Sequence, residues 1–488
     1  MSEGTAGTEG GLKRRLGLIQ TSALLFAGVG ASGGVVSLWT FSYGTSGPAF
    51  FWGYPLVALL VLPVCLVWAE LASHYPFAGT FFEWPRLLLR GIRSAEGIGW
   101  WIGWLYLFGL TLTLTALYIA VANAMIAFAG WDSSTHLQVE IALICLVVCL
   151  VVNVSGIERV GKIGVLGVLG ELVAVGIIVT LTLILGADHS PTLLVHTPGQ
   201  SFSKWIPGFI GAGVFVPIWN LYTFEGAGLL GEETKDAAHS APRAILFTLL
   251  GSTVIAMYII FTFVLTTKHP VAAMSAANPI QSNIERVLPT WCAKLYEFVV
   301  VEVLFLSTSA LLTYASRQLY GMARARELPA ARSLSRTLRI NGAPWTSLIL
   351  VAIVSALPLF ISSNIAVLVG GTTAEVYVAY CLVLLIVVVA RFRGWPQTPA
   401  PFSLGRYGMA ISIAALLAAL AIGVDLFWPR DSTNPVWHGI RAGYWMVGVP
   451  LALGIVLRLG ARFRQGPAID PIDDTLAEIE REVLSEAR

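Results

Sequence analysis

Twelve continuous apolar runs, each close to the roughly 20 residues that carry a helix across a hydrocarbon core of about 30 Å, govern what this 488-residue chain can fold into. They lie at 18–41, 48–70, 98–128, 137–154, 162–186, 207–230, 243–267, 294–316, 346–362, 364–390, 406–428 and 441–460. Charge decides what surrounds them. Asp, Glu, Lys and Arg make up only 12% of the chain, about half the usual share of roughly 25% in soluble domains. So few charges cannot wet the outside of twelve helices, so lipid must do it. The runs do not alternate at period two, which excludes a β-barrel. The fold class is therefore all-α and polytopic, with twelve transmembrane helices. A net charge of +2, with basic residues scattered through short loops, argues against a nucleic-acid partner.

Basic residues orient the bundle. With the N-terminus cytoplasmic, 24 of the 30 Lys and Arg fall on the inner side and only Lys204, Lys268, Arg286, Lys294, Arg430 and Arg441 on the outer side. That asymmetry places both ends in the cytoplasm of a plasma or inner membrane. The six arginines between 317 and 345 serve as an orientation anchor or as a lipid or partner site. The polar, then basic stretch 1–17 leads into the first run without an A-x-A cleavage site, which reads as a retained helix rather than a signal peptide. In the tail 461–488, Ile472, Leu476, Ile479 and Val483 share one helical face, predicting an amphipathic cytoplasmic helix. Cys65, Cys145, Cys149 and Cys381 sit in apolar runs and Cys292 near the end of a polar loop, with neither a disulfide framework nor a metal spacing.

Two segments break the apolar monotony. The first run holds Gly28-Val29-Gly30-Ala31-Ser32-Gly33-Gly34, and the sixth holds Thr223-Phe224-Glu225-Gly226-Ala227-Gly228 preceded by Pro217. Glycine and proline both weaken a helix interior, so both segments are candidates for unwound backbone. At membrane depth such backbone persists only where it is buried or lines a cavity. Close packing of small residues is the competing reading. Runs one and six open two five-helix sets, 18–186 and 207–390, followed by a final pair over 406–460. Five is odd, so the second set enters from the opposite side, as in inverted-repeat transporters whose broken helices meet at the midplane.

Three loop segments then carry a resemblance. Ala69-Glu70-Leu71-Ala72-Ser73-His74-Tyr75-Pro76-Phe77-Ala78-Gly79 resembles the AELAS-x-YP-x-AGG stretch of amino acid permeases, with Thr80 in place of the second glycine. Gly231-Glu232-Glu233-Thr234-Lys235 with Ala241-Pro242-Arg243-Ala244-Ile245 is similar to their EE-x-(K/R)…PRAI loop. Ser316-Arg317-Gln318-Leu319-Tyr320-Gly321-Met322-Ala323-Arg324, followed by Leu328-Pro329 and Gly342-Ala343-Pro344, resembles their SR-x-LY-x-MAR…LP…G-x-P loop. On these motifs the chain is identified as a member of the amino acid–polyamine–organocation (APC) superfamily, with a flavour of the amino acid/choline transporter branch. The resemblance implies a LeuT-like 5+5 inverted repeat with helices 1 and 6 broken. It also implies alternating access in which helices 1, 2, 6 and 7 move against 3, 4, 8 and 9, and a substrate with an ammonium group.

The expected substrate contacts are Gly28, Gly30, Ala31, Ser32 and Gly33 at the first break and Trp219, Tyr222, Phe224 and Glu225 at the second. Free N–H groups and the positive dipole end of the outer half of helix 1 suit a carboxylate; carbonyls near 219–222 suit an ammonium. By the resemblance, Trp219 aligns with an aromatic that gates the substrate, though a packed tryptophan is the plainer reading. Glu225 matches an acid that pairs the ammonium, holds a proton or braces the broken helix. Glu171 lies nine residues into the fifth run, about 13 Å deep at a rise of about 1.5 Å per residue. An ionised carboxylate at the bilayer centre costs about 2.5–3.5 kcal/mol on insertion scales. Some proton-coupled relatives carry a lysine near this place. Glu171 is therefore either a proton-handling group or a hydrogen-bond partner of Ser307, Thr308 or Ser309. Glu171, Glu225, Ser307 and Ser309 form the expected coupling set, with a proton or a counter-substrate as the second solute. Glu302 and Glu375 are further deep acids, and Asp425, near a helix end, reads as structural.

No GxSxG, HExxH, Walker motif or intramembrane Asp pair points to a membrane enzyme, a metal or a cofactor. The major facilitator type would need two six-helix halves and a basic signature between runs two and three. The tails are short for a nutrient sensor built on a transporter scaffold. Amino acids or related small amines remain as substrates, with a polyamine or choline-like cation as the alternative.

Overall fold

Ten of the twelve apolar runs wind into helices of at least 18 residues that are long and apolar enough to cross a membrane. The sixth and ninth give the shorter apolar helices Trp205–Asn220 and Trp345–Phe360. The computed structural model describes residues 11–195, 201–270, 279–360, 365–398, 400–437 and 439–462. The amphipathic helix expected in the tail lies beyond Arg462, outside the described residues.

Fifteen helices position the site: α1 (Leu18–Val29), α2 (Ala31–Ser37), α3 (Gly53–His74), α4 (Thr80–Leu88), α5 (Ala95–Ala129), α6 (Thr135–Val154), α7 (Ile157–Ala174), α8 (Phe215–Asn220), α9 (Gly226–Leu229), α10 (Ala237–Leu265), α11 (Thr290–Arg324), α12 (Trp345–Ala356), α13 (Ile365–Phe392), α14 (Gly408–Phe427) and α15 (Ala442–Arg462). The long helices α5 and α11 cross against each other in the middle. α5 is apolar on all sides and almost wholly buried, as a core helix must be. The outer helices turn Ile144, Leu169, Val173, Leu417 and Val456 outward, the surface that a lipid solvent requires. α7 runs on through a π turn at Val175–Val179 into Thr180–Gly186, so Glu171 lies near the middle of a longer helix than the sequence predicts.

Both expected interruptions are present and narrower than the glycine clusters. Gly30 alone breaks the first helix, in the left-handed conformation at φ 57°, ψ 58°. The chain is helical again from Ala31, with the Gly34 N–H donating to the Gly30 carbonyl at 2.9 Å. The other glycines are there for close approach. A Cβ at Gly28 would lie 3.0 Å from the Tyr314 ring, and one at Gly33 would lie 2.8 Å from Leu304. The sixth helix is open over Leu221–Glu225, with Thr223 at φ 63°, and Gly226 to Gly228 belong to α9. Pro217 is not the break. It lies within the helix Trp205–Asn220, just past a π turn at Phe209–Gly213, and the chain stays helical to Asn220.

Two expectations are corrected. Cys292 is not in a loop but buried in the first turn of α11, because that helix starts well before its apolar run. The loop expected after the second run contains α4, whose Thr80, Phe81, Phe82, Glu83 and Trp84 are all buried. Gly79 starts α4 at φ 85°, and a Cβ there would meet the Gly321 Cα at 3.0 Å. The helix is nine residues long and carries two charges, too short and too polar for a periodicity reading to separate it from a loop.

Candidate functional site

Asn220, the last residue of α8, joins the two interruptions. Its amide donates to the carbonyls of Val29 (3.0 Å) and Gly30 (3.3 Å) and accepts from the Tyr54 hydroxyl at 3.2 Å. Val29 is the last residue of α1, where a helix leaves its final carbonyls without partners, and the Gly30 carbonyl is shared with the Gly34 N–H. A side chain at position 34 would collide with the Asn220 amide, so glycine there makes the contact sterically possible. Tyr314 of α11 is the wedge between the halves. Its hydroxyl donates to the Leu24 carbonyl at 3.0 Å, and its ring fills the space left by Gly28 and Gly226.

Glu225 closes the second interruption. It is fully buried, and the hydroxyls of Tyr106 from α5 and Tyr380 from α13 donate to its two carboxylate oxygens. Tyr380 also accepts from the Thr223 N–H at 3.0 Å, at the residue held with positive φ. Phe81 stacks on Tyr106 at 3.9 Å between ring centroids, and Trp68 lies 5.3 Å from Tyr380. The two tyrosines thus tie Glu225 to α5 and α13.

Glu171 meets the other broken helix. Ser32, in the first turn of α2, donates to one carboxylate oxygen through both its N–H (3.0 Å) and its hydroxyl. The partner expected on α11 is not used. Ser307 instead donates to the carbonyls of Ala27 (2.6 Å) and Val303 (2.9 Å), and it occupies the space beside Gly30. Thr308 turns back to Leu304, and Ser309 accepts from Asn153 of α6 at 3.0 Å. Ser309 thus pins α6 to α11 and is not brought to Glu171, because one residue along a helix turns the side chain by about 100°. Glu302 packs over Gly167, one turn from Glu171 on α7. Glu375 is buried beside Gly109, with neither oxygen hydrogen-bonded among the described residues. Asp425 pairs with Arg430 at 2.5 Å.

A small cavity of about 10 Å³ lies between the breaks, room for about one water molecule. Gly28, Gly30, Trp219 and Tyr222 line it as expected, together with Asn220, Ser307 and Leu304. Ala31, Ser32, Gly33, Phe224 and Glu225 are buried around the breaks but do not line it. The Tyr222 hydroxyl is turned to Thr113 at 3.3 Å. A vestibule of about 230 Å³, bordered by Trp39, Asn123, Gln281, Tyr296 and Glu297, also reaches Leu304. Leu304 is common to the linings of the two spaces. Sequence reading missed Asn220, Tyr54, Tyr106, Tyr314 and Tyr380. Asn220 had a visible signal, an amide alone in the apolar stretch Pro217-Ile218-Trp219-Asn220-Leu221; the tyrosines had none, since their partners are far away in sequence.

A family model described as amino acid permease matches residues 16–451. The chain belongs to the amino acid permease family. The permease is 26% identical over 415 residues to a putative amino acid/polyamine transporter of Macrophomina phaseolina, covering 79% of its own length and 89% of the relative's. It is 24% identical over 441 residues to a branched-chain amino acid permease of Lactococcus lactis, covering 83% and 86%. It is 23% identical over 445 residues to an amino-acid permease of Arabidopsis thaliana, covering 85% of each. The family and these relatives are transporters rather than enzymes. With its long apolar helices the permease is an integral multi-pass membrane protein that carries amino acids or amines.

The three motif loops converge on the face of the permease that holds residues 11–17. Arg317 and Glu233 form a buried bidentate pair at 2.8 and 2.9 Å, Arg324 and Glu232 pair at 2.7 Å, and Arg391 reaches Glu70. Glu232 also accepts from the Ala78 N–H at 3.0 Å. Leu16 runs parallel to Thr234, with the Arg15 and Leu16 N–H groups on the Glu233 carbonyl at 2.8 and 2.9 Å and the Lys235 N–H on the Leu16 carbonyl at 2.8 Å. Each ion pair joins the α3 end or the loop after α9 to α11 or α13, so this face is closed by charge. Removing one partner of a buried pair strands the other. Arg317→Ala is therefore expected to destabilise the permease by about 3–5 kcal/mol, read as a lowered unfolding midpoint in detergent. Arg324→Ala, in a pair whose side chains keep 21% and 17% of their surface exposed, is expected to cost less.

Proposed function

We propose that the permease is a secondary carrier that moves amino acids or related small amines across the cell membrane by alternating access. In this reading twelve helices form two inverted five-helix repeats, 18–186 and 207–390, with a final pair over 406–460 and both termini cytoplasmic. The observation that supports it most is the Asn220 bridge, because it brings the two interrupted helices, each the first of five, onto one small cavity. Helix ends supply what a zwitterion needs. The first-turn N–H groups of α2 other than that of Ser32, which Glu171 takes, favour a carboxylate, and the last carbonyls of α8 favour an ammonium. The face sealed by Glu233–Arg317, Glu232–Arg324 and Glu70–Arg391 is the cytoplasmic one, as the 24-to-6 distribution of basic residues supports. The vestibule then opens outward. The relatives' names, branched-chain amino acid permease and putative amino acid/polyamine transporter, bracket the substrate range.

Coupling is assigned to Glu171. Its carboxyl is the one buried acid held by a broken helix through Ser32, so a change in its protonation alters a contact that α2 must keep or release as it moves. Uptake of labelled amino acids and amines into proteoliposomes, with and without an inward proton gradient, tests both statements. Wild-type uptake is expected to rise when the outside is made acidic, and Glu171→Gln uptake is expected to be indifferent to the gradient. A Glu171→Gln protein with the wild-type pH response removes the proton role. A wild-type protein that accumulates none of the solutes removes the carrier reading.

A further inference from the structure

Glu375 is the deep acid that the carrier reading leaves unused. It lies ten residues into α13, about 15 Å along the helix at a rise of about 1.5 Å per residue, and it is fully buried. Neither carboxylate oxygen has a hydrogen-bond partner among the described residues. The titratable side chains of the helices packed against α13 are engaged elsewhere. On α5, Tyr106 holds Glu225, Tyr118 meets Ser355, and Glu96 lies at the exposed start of the helix. Glu83 of α4 pairs with Arg86, Asp425 of α14 with Arg430, and Arg458 of α15 with Glu327, while Tyr444 of α15 stacks on Phe427. On α13 itself Tyr380 holds Glu225, Tyr377 packs on Tyr380, Arg391 reaches Glu70, and Cys381 is half-buried. α8 has no titratable residue. An ionised carboxylate in that setting has nothing to replace its lost hydration, and such a group takes up a proton instead. A leucine or methionine would fill the space without a stranded carboxyl, so packing does not account for an acid here. An ionisable residue at membrane depth marks a site of function.

We propose that Glu375 binds a proton in the working protein, and that this proton keeps α5 and α13 closed behind the second interruption. No group of three or more His, Cys, Asp or Glu side chains that could hold a metal ion occurs among the described residues, so the neutralising charge is a proton. The seam is narrow at Gly109 of α5, where an added Cβ would lie 2.8 Å from Val376 and 3.6 Å from the Glu375 Cγ. A hydrogen-bonded chain runs from there to the break: the Thr113 hydroxyl donates to the Gly109 carbonyl at 2.9 Å and accepts from the Tyr222 hydroxyl at 3.3 Å. Five residues along α13, Tyr380 donates to Glu225 and accepts from the Thr223 N–H. Glu375 thus stands between the two helices whose tyrosines hold the open stretch Leu221–Glu225. When it gives its proton to water, the carboxylate left behind draws water into a seam packed too closely to hold it, and α5 and α13 part. Tyr106 and Tyr380 are then loosened from Glu225 together. The bound proton does not depend on the carrier reading above; its effect on transport rests on that reading.

Infrared spectroscopy of the full-length protein in lipid, titrated from mildly acidic to alkaline pH, reads the proton directly. A carboxylic-acid carbonyl band is expected at neutral pH in the wild type, and Glu375→Gln is expected to lack part of it. Glu375→Met, which fills the space with an apolar chain, serves in the same way if the amide variant does not fold. A band of equal intensity in the wild type and the variant overturns the site. Counterflow of labelled leucine, lysine and putrescine in proteoliposomes with equal pH on both sides reads the consequence, as the ratio of alkaline to neutral exchange within each protein. Once Glu375 loses its proton, wild-type exchange of the accepted solute is expected to fall by about tenfold per pH unit, the slope of a step that needs one bound proton. Glu375→Gln is expected to remove that fall, and Glu171→Gln to keep it, which separates the two acids. A flat wild-type ratio, or an alkaline fall that survives in Glu375→Gln, overturns the closing role. Counterflow of none of the solutes defeats the carrier reading, and the infrared band then decides the proton site by itself.

Discussion

A Gly30→Ala permease is expected to insert into the membrane and to transport almost nothing. Gly30 has φ 57° and ψ 58°, a conformation that costs a residue with a Cβ about 1–2 kcal/mol, and such an energy is a factor of about 5–30 in any equilibrium it controls. The steric problem is larger. The new Cβ falls on the Ser307 Oγ, with the Ser307 Cβ at 3.4 Å and the Ala27 carbonyl oxygen at 3.5 Å behind it. Ser307 is held to that same carbonyl at 2.6 Å, so it cannot swing away without abandoning a buried acceptor. The variant must straighten the helix or push α1 from α11, and either movement pulls Val29 and Gly30 off Asn220. Counterflow measured against surface-labelled protein checks the result. Combining Gly30→Ala with Ser307→Gly removes the clash but not the backbone cost, and is expected to restore part of the activity. Full activity of the single variant would show that Gly30 need not be left-handed during transport.

The second large effect falls on Glu225. Glu225→Ala leaves the hydroxyls of Tyr106 and Tyr380 buried without their acceptor. Each stranded donor costs about 1–3 kcal/mol, so the pair costs about 2–6 kcal/mol. The loss is concentrated where Thr223 already carries a positive φ. The expected outcome is a clearly lowered unfolding midpoint together with lost uptake. Glu225→Gln separates bracing from charge. Its amide oxygen still accepts from one tyrosine and its NH₂ donates to the oxygen of the other, which has a lone pair to spare. The Gln variant is expected to unfold close to the wild type. If it is stable yet inactive, the charge at Glu225 is used in transport; if it is stable and active, the residue is a brace.

Ten membrane-length apolar helices and the location of the two interruptions were legible because each rests on a local signal: a long apolar run, or glycines dense enough to make a continuous helix costly. The extent of unwinding was not. Of the seven residues from Gly28 to Gly34 only Gly30 leaves the helix, and Gly28, Gly33 and Gly34 are glycines because Tyr314, Leu304 and Asn220 press against them. A sequence shows that a residue is small without showing what it makes room for. The same limit explains Glu171. Its depth could be read from its position, but its partner Ser32 lies 139 residues away, and nothing local distinguishes Ser32 from Ser307 or Ser309. The tyrosines on Glu225 come from α5 and α13, which the chain order places on either side of the whole site. The loop motifs were recognisable as motifs, yet their acids and bases were read only as loop charge. Folding turns Glu232, Glu233 and Glu70 toward Arg324, Arg317 and Arg391.

The ribbon contact at Leu16 bears on how this face could part. Its backbone is bonded to Glu233 and Lys235, and the Glu233 carboxylate is bonded to Arg317. The start of the first helix is therefore harnessed to the segment that follows the sixth, and that segment is latched to the eighth. The leading end of the first helix cannot peel away alone: it either drags its neighbour and unfastens the arginine, or it first unzips from the ribbon. On the proposed alternating access, a single lock would keep the two helix ends in step.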